Sequence, residues 1–262
     1  MRNRRARAWL LCAASVLSLT GLSACATVVP PNRLADYVGL QAVRETPPDV
    51  TLPDRRPLKA GLLLIGDTTA PDSSPTLPDQ ALIQMAEQLQ QQFSQFLPLT
   101  IEKIVPADGV RPGNGLASFA EIGRKQGLDY LVLVIASATE VEYPIYVAVG
   151  GTTNVVPGLR RDNWSLAEVA LLDVRSSQVL VQAEGRGWAT LDRATTPDVN
   201  QWYPVIWKRP LEPNWRWWPP TYESAPHTLR VIAMHEAVKR LVINFQDAWL
   251  KKREGEFAAL RG

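Results

Sequence analysis

The sequence predicts an α/β (α+β mixed) fold: a three-layer sandwich with a mixed central sheet flanked by helices and a long C-terminal helix. Three observations predict it. Residues 60–65 and 129–136 are continuous apolar runs, as expected of strands buried on both faces. Apolar residues recur every three or four positions over 82–97 and again over 229–249, the period of a helix with one buried face. Between them, residues 164–173 and 179–190 alternate around the polar turn Val174-Arg175-Ser176-Ser177, which reads as an antiparallel hairpin. Two βα units, a central strand, a hairpin and a closing helix bury their apolar faces as stacked layers.

The chain opens on a leader. Arg2, Arg4, Arg5 and Arg7 precede an apolar run from Ala8 to Leu22, too short to span a bilayer stably. Leu22-Ser23-Ala24-Cys25 then resembles the lipobox of bacterial lipoproteins, in which the cysteine is lipidated and becomes the mature first residue. Residues 1–24 are thus expected to be a signal peptide and Cys25 the lipid carrier. Several acyl chains would hold the protein far more firmly than one. Ala26 after the cysteine favours, by resemblance to enterobacterial sorting, the outer membrane, with the domain facing the periplasm.

Bulk composition excludes whole classes of function. Four of the 28 basic residues lie in the leader, so the rest of the chain carries fewer basic residues than its 26 acidic ones. No clustered basic face marks a nucleic-acid partner. The two cysteines are Cys12, in the leader, and Cys25, so no thiol remains for a nucleophile, a disulfide or a thiolate metal site. His227 and His235 alone make an all-protein zinc site improbable. No metal and no cofactor is expected.

Residues 25–58 read as the lipidated cysteine and a Pro-rich tether, with one short helix around 34–43. Fully extended, such a tether would reach on the order of 100 Å. Residues 59–253 read as a single periplasmic domain and 254–262 as a tail. Thr76-Leu77-Pro78-Asp79 looks like a helix start with an early proline and a capping-box-like pair. Pro98 ends that helix, Leu99–Val105 is a second strand, and Gly127 closes a second helix over 117–126. The last helix is expected over 227–252, with Lys251, Lys252 and Arg253 suiting its C-terminal dipole.

Gly127-Leu128-Asp129-Tyr130-Leu131-Val132 resembles the "G-A-D-Y-hydrophobic" signature of periplasmic lipoproteins with an anticodon-binding-domain-like fold. Leu171-Leu172-Asp173-Val174, leading to Gln178-Val179-Leu180, is similar to their "L-x-D-x-x-(T/S)-G-x-V" hairpin, with Ser177 where the family has glycine. That group includes the N-terminal parts of curli-secretion (CsgG-type) lipoproteins, LpoB and PelC. The resemblance implies this fold over residues 58–192 and 227–252, and no catalysis. Members bind proteins or assemble into rings, so function does not transfer from the fold.

Two insertions interrupt the domain. Residues 143–163 mix apolar residues with Gly150-Gly151 and Pro157-Gly158; Pro144 and Pro157-Gly158 break the arms, which look too short for a membrane-spanning hairpin. A flexible hairpin or loop packed on the domain is expected there, with a partner-binding loop as the alternative. Residues 197–226 hold Trp202, Trp207, Trp215, Trp217 and Trp218, five of the nine tryptophans, among seven prolines. Tryptophan offers flat apolar area with a polar N–H, and proline lowers the entropy cost of ordering. Three readings stay open: a lid folded over the sheet, a platform for a protein or glycan, and an aromatic belt on a bilayer surface. Lys208, Arg209 and Arg216 beside the rings would add cation–π or phosphate contacts. Trp202, Trp207, Trp215, Arg216, Trp217 and Trp218 are the expected partner-binding residues.

No enzyme signature is complete. His235-Glu236-Ala237-Val238-Lys239 begins like a zincin helix but has Lys239 at the second histidine. Glu140 and Glu142 share one face of a strand, which suits a paired-carboxylate hydrolase or merely a solvated strand end. The expected role is non-enzymatic: an envelope lipoprotein binding a protein partner in assembly or export. The alternatives are a self-associating ring subunit of a secretion or polysaccharide-export apparatus, and a glycan- or peptidoglycan-binding module.

Overall fold

The computed structural model describes residues 29–44, 51–53, 57–148, 154–196, 204–209, 216–221 and 223–260. The expected signal peptide over 1–24, Cys25, Trp202, Trp215 and parts of both insertions lie outside the described residues. Among the described residues seven strands form one sheet: β1 (Leu58–Asp67), β2 (Leu99–Val105), β3 (Tyr130–Ala148), β4 (Val155–Asp173), β5 (Gln178–Ala194), β6 (Val205–Arg209) and β7 (Arg216–Trp217). Their spatial order is β2-β1-β3-β4-β5-β6-β7. β1 pairs in parallel with β2 and β3, and every later pair is antiparallel, so the sheet is mixed as expected.

Among the described residues five helices accompany the sheet: α1 (Leu34–Val38), α2 (Leu40–Arg44), α3 (Asp79–Phe96), α4 (Gly115–Lys125) and α5 (Ala225–Ala259). Leu89 and Phe93 of α3 and Leu241 and Phe245 of α5 pack on Leu62, Val132 and Val134 of one sheet face. Phe93 and Phe245 meet with ring centroids 5.5 Å apart. On the other face, Leu34 and Tyr37 of α1 and Phe119 of α4 cover Leu63, Leu131 and Leu133. Each fully buried side chain of this size contributes about 1.5–3 kcal/mol. That is the three-layer sandwich.

α5 lies directly on the backbone of β5. A Cβ on Gly187 would sit 2.0 Å from the Ala233 carbonyl oxygen, and one on Gly185 would sit 2.1 Å from that of Ala237. Only glycine lets a helix approach a strand this closely. Gly127 ends α4 at φ +66°, with the Leu128 N–H donating to the Gly123 carbonyl, as a helix-closing glycine should.

Several expectations are corrected. Residues 29–44 are not an extended spacer: Pro30, Leu34, Tyr37 and Val38 are buried against the domain, because this stretch carries enough apolar side chains to dock. Its short helix is two, broken at Gly39 with φ +96°. The Thr76/Asp79 box does not form; Pro78 is the N-cap, without a side-chain cap, and its carbonyl receives the Ala81 and Leu82 N–H groups. α5 runs to Ala259, through most of the presumed tail. Arg253 therefore lies inside the helix, buried, donating to the Leu52 carbonyl at 3.1 Å and paired with Glu256 at 3.0 Å rather than serving the helix end.

The 143–163 insertion is not a loop broken at its prolines. β3 and β4 pair without interruption from Tyr130↔Asp173 to Ala148↔Val155, straight through Pro144 and Pro157. The Pro157 carbonyl accepts the Thr195 N–H at 3.0 Å, so its missing N–H points to the β5 side, where the ladder has already ended at Gly158↔Ala194. Tyr146 faces Pro157, so by the same parity Pro144 directs its missing N–H to the open edge of β3 beyond Ser137. Arg160 and Asp162 on one face, and Glu140, Glu142 and Arg161 on the other, interrupt any apolar band on this extension.

Candidate functional site

The registers of β4, β5 and β6 set Trp164 opposite Trp188, and Trp188 opposite Arg209. The two indoles stack with centroids 3.9 Å apart and planes 15° apart. The Arg209 guanidinium lies over Trp188, 5.9 Å from its centroid. Two residues along each strand, Asp162, Thr190 and Trp207 form the next row, with Arg216 of β7 5.6 Å over the Trp207 ring. A third row holds Tyr143, Arg160, Asp192 and Val205. Strand side chains alternate, so all three rows share the face opposite α5.

Charge on this face is partly matched. Arg160 grips Asp192 through two bonds, Nε–Oδ1 at 2.6 Å and Nη2–Oδ2 at 2.8 Å, which raise its pKa above the usual arginine range despite burial. The Tyr143 hydroxyl donates to Asp162 Oδ2 at 2.8 Å. Burial pushes the Asp162 carboxyl above its ordinary range. Burial, with the like charge of Arg160, pulls Arg209 below its own. Four buried polar atoms in adjacent positions lack a hydrogen-bond partner among the described residues: Asp162 Oδ1, Thr190 Oγ1, Trp188 Nε1 and Arg209 Nε. Buried polar atoms are normally satisfied, and these four are also closed to solvent.

Among the described residues β6 pairs with β5 as far as Trp188↔Arg209. There Arg240 of α5 reaches round to donate to the Arg186 carbonyl at 2.9 Å. Arg186 in turn pairs with Glu184 at 3.0 Å and donates to Asn32 at 2.7 Å. Trp164, Trp188, Arg186, Arg209, Arg240 and Pro30 are among the walls of a notch of about 380 Å³ at this point.

Of the expected partner-binding residues, Trp207, Arg216, Trp217 and Trp218 fall within the described residues, and β6 and β7 bring them to the outer edge of the sheet. Trp207 is half-buried under Arg216, while Trp217 and Trp218 remain 50% and 53% exposed. Trp202 and Trp215, like Cys25, lie outside the described residues. Lys208, expected beside an indole, instead pairs with the buried Glu236 at 3.0 Å on the α5 face. Sequence reasoning missed Trp164, Trp188 and the pairing of Arg209 with Trp188.

The remaining candidates are engaged elsewhere. Arg230 binds Glu140 through Nε at 2.8 Å and Nη2 at 3.0 Å, and Arg161 and Arg193 bind Glu142 at 2.8 and 3.2 Å. Carboxylates so paired are poor candidates for general acid–base work. His227 and His235 are exposed on α5. Among the described residues no cluster of three or more His, Cys, Asp or Glu is placed to hold a metal ion.

No protein-family model matches this chain, and no curated protein sequence matches it. Solved structures similar to it include a protein described as a homolog of neuraminyllactose-binding hemagglutinin from Helicobacter pylori, at 9% identity, 71% of this chain, 84% of that chain and a TM-score of 0.37. The PelC dodecamer from Paraburkholderia phytofirmans is similar at 13% identity, 73% of this chain, 93% of that chain and a TM-score of 0.27. A protein described as a lipoprotein from Caulobacter crescentus is similar at 11% identity, 73% of this chain, 91% of that chain and a TM-score of 0.30. At these values no role is carried from them to this chain.

Proposed function

We propose that this chain is a non-enzymatic lipoprotein of the cell envelope, anchored in the outer membrane through lipid on Cys25, whose α/β domain binds a protein partner in envelope assembly or export. The leader with its Leu22-Ser23-Ala24-Cys25 ending supports the location. The observation that carries the binding role is the outer edge of the sheet. A short terminal strand presents Arg216 and the half-exposed indoles of Trp217 and Trp218, backed by the Arg216–Trp207 contact. Large aromatic residues beside arginine are the usual anchors of protein interfaces. The engagement of Glu140 and Glu142 by arginines supports a role without catalysis.

A photo-crosslinking residue at position 217, in the lipidated chain in living cells, tests the reading. It is expected to give one discrete adduct of higher mass, weakened in a Trp218→Ala background. Adducts with no discrete species, or the same pattern from a crosslinker at exposed Ile83 of α3, would refute it. Sedimentation is expected to show a monomer; a large closed oligomer would favour a ring subunit.

A further inference from the structure

We infer that residues 29–38 form a strap whose release from the sheet is controlled by pH, with Glu168 as the sensing group. A compact polar clasp holds the strap. Glu168 Oε2 accepts the Arg33 N–H at 2.6 Å and the Leu34 N–H at 3.0 Å, at the N-terminal end of α1, where donors have no acceptor within the helix. Beside it Glu184 accepts from the Asn32 amide at 2.5 Å, and Arg186 donates to Asn32 at 2.7 Å. The β4–β5 register sets Glu168 directly opposite Glu184, the arrangement in which like charges repel. The strap thus closes over two carboxylates that cannot both be charged without cost. A cavity of about 160 Å³ adjoins the clasp, with Asn32, Leu34, Glu168, Gln182 and Glu184 among its walls. At the far end Gly39 has φ +96° and no atom within 4 Å of where a Cβ would lie, so it can serve as the joint.

Burial pushes the docked Glu168 carboxyl from 4.5 up to about 7; the Arg33 and Leu34 N–H groups and Arg186 oppose the rise, and Glu184 adds to it. Release returns the carboxyl to water and to its ordinary value. Docking is therefore strongest below pH 4.5 and weakens as pH climbs to about 7. The charged groups around the clasp are Glu184 and Arg186 of β5, Arg33 and Asp36 of the strap and Asp67 of β1, with the Tyr37 phenol on α1. Burial raises Asp67 and Glu184, but bonds from Arg33 and Thr69 to the first, and from Arg186 and Asn32 to the second, bring both below the ordinary carboxylate range. Burial holds Tyr37 up at about 12. None of these three weakens docking between pH 5 and 7. Leu34, Tyr37 and Val38 are buried with Phe119 and Leu131, so the docked form predominates and the clasp sets how often the strap lifts. Only the consequence rests on the lipid anchor proposed above: with lipid on Cys25, release lengthens the leash from the four residues before Val29 to the fourteen before Gly39, or from about 14 Å to about 50 Å when straight.

The test is hydrogen–deuterium exchange of the detergent-solubilised full chain at pH 5, 6 and 7, read by mass spectrometry. Rates for residues 30–39 and for the β3 core, 131–136, are each divided by the rate of the same segment in the urea-unfolded chain at that pH, which removes the intrinsic pH dependence of exchange. The strap is expected to open at least a hundredfold more often than the core at every pH, because its opening leaves the sheet intact. Its opening is expected to become tenfold or more as frequent between pH 5 and 7. Glu168→Gln keeps an acceptor for α1 without a charge and should abolish that rise. Strap exchange as slow as that of the core would mean that the segment is freed only by global unfolding, and would overturn the inference. So would an opening that does not rise with pH, or one that rises equally in Glu168→Gln. The wild-type chain alone supplies the first two results, and the strap is read the same way with or without lipid on Cys25, so the anchor and the strap can fail separately.

Discussion

Glu168 on β4 accepts the Arg33 N–H at 2.6 Å and the Leu34 N–H at 3.0 Å, both at Oε2, and so holds the start of α1 to the sheet. It is 3% exposed. Burial pushes its carboxyl from 4.5 up to about 7, against the pull of those two N–H groups, and the charge of Glu184 opposite adds to the rise. A carboxyl raised in the folded state favours the protonated form. The stability it allows is complete below pH 4.5 and is lost as pH climbs to about 7. At 1.36 kcal/mol per pH unit, the loss is about 3 kcal/mol. Glu168→Gln keeps an acceptor oxygen for α1 but cannot ionise. Urea unfolding of both proteins at several pH values gives a difference curve in which other groups cancel. Asp67 is one of these: burial raises its carboxyl, but bonds from Arg33 and Thr69 bring it below its ordinary value, so its stabilising contribution is lost on acidification. The variant is expected to gain on the wild type by about 3 kcal/mol between pH 4.5 and 8, with most of the change complete by pH 7. A flat difference curve, or one of opposite slope, would refute the assignment.

Other expectations follow from the packing. Gly187→Ala places a methyl group 2.0 Å from the Ala233 carbonyl, so α5 must lift; a loss above about 3 kcal/mol is expected in thermal or urea unfolding. Arg230→Met deprives the half-buried Glu140 of its main partner but leaves it Arg161 at 3.3 Å, and should cost about 1–3 kcal/mol, much of it recovered in the double variant Arg230→Met/Glu140→Gln. Ser177 holds φ +56° in the β4–β5 turn, so Ser177→Gly should raise stability by up to about 1 kcal/mol, seen as a higher urea midpoint with unchanged slope.

The local elements were legible because each is dictated by nearby residues. β2 was expected at its observed bounds, the core of β1 within two residues at either end, and Gly127 as the end of α4. What escaped depends on partners distant in sequence. Counting back from the Asp173↔Gln178 pair in an unbroken hairpin sets Trp164 against Gly187; only the irregularity after Leu171 moves it to Trp188 and creates the indole stack. Pro144 and Pro157 read as breaks because a sequence does not say which edge of a strand its missing N–H will face. The partner edge carrying Trp207, Arg216, Trp217 and Trp218 was marked by composition alone. The notch was not, since its walls come from the N-terminal segment, β4, β5, β6 and α5, which are distant in sequence.

The docked N-terminal segment alters how the protein would meet the membrane. Val29 and Pro30 line the notch, and Cys25 precedes Val29 by four residues. Four residues span at most about 14 Å even when straight. Were lipid attached to that cysteine, as proposed, the domain would be moored rather than held out on a long arm, with the edge of the sheet beside Val29 and Pro30 kept close to the bilayer.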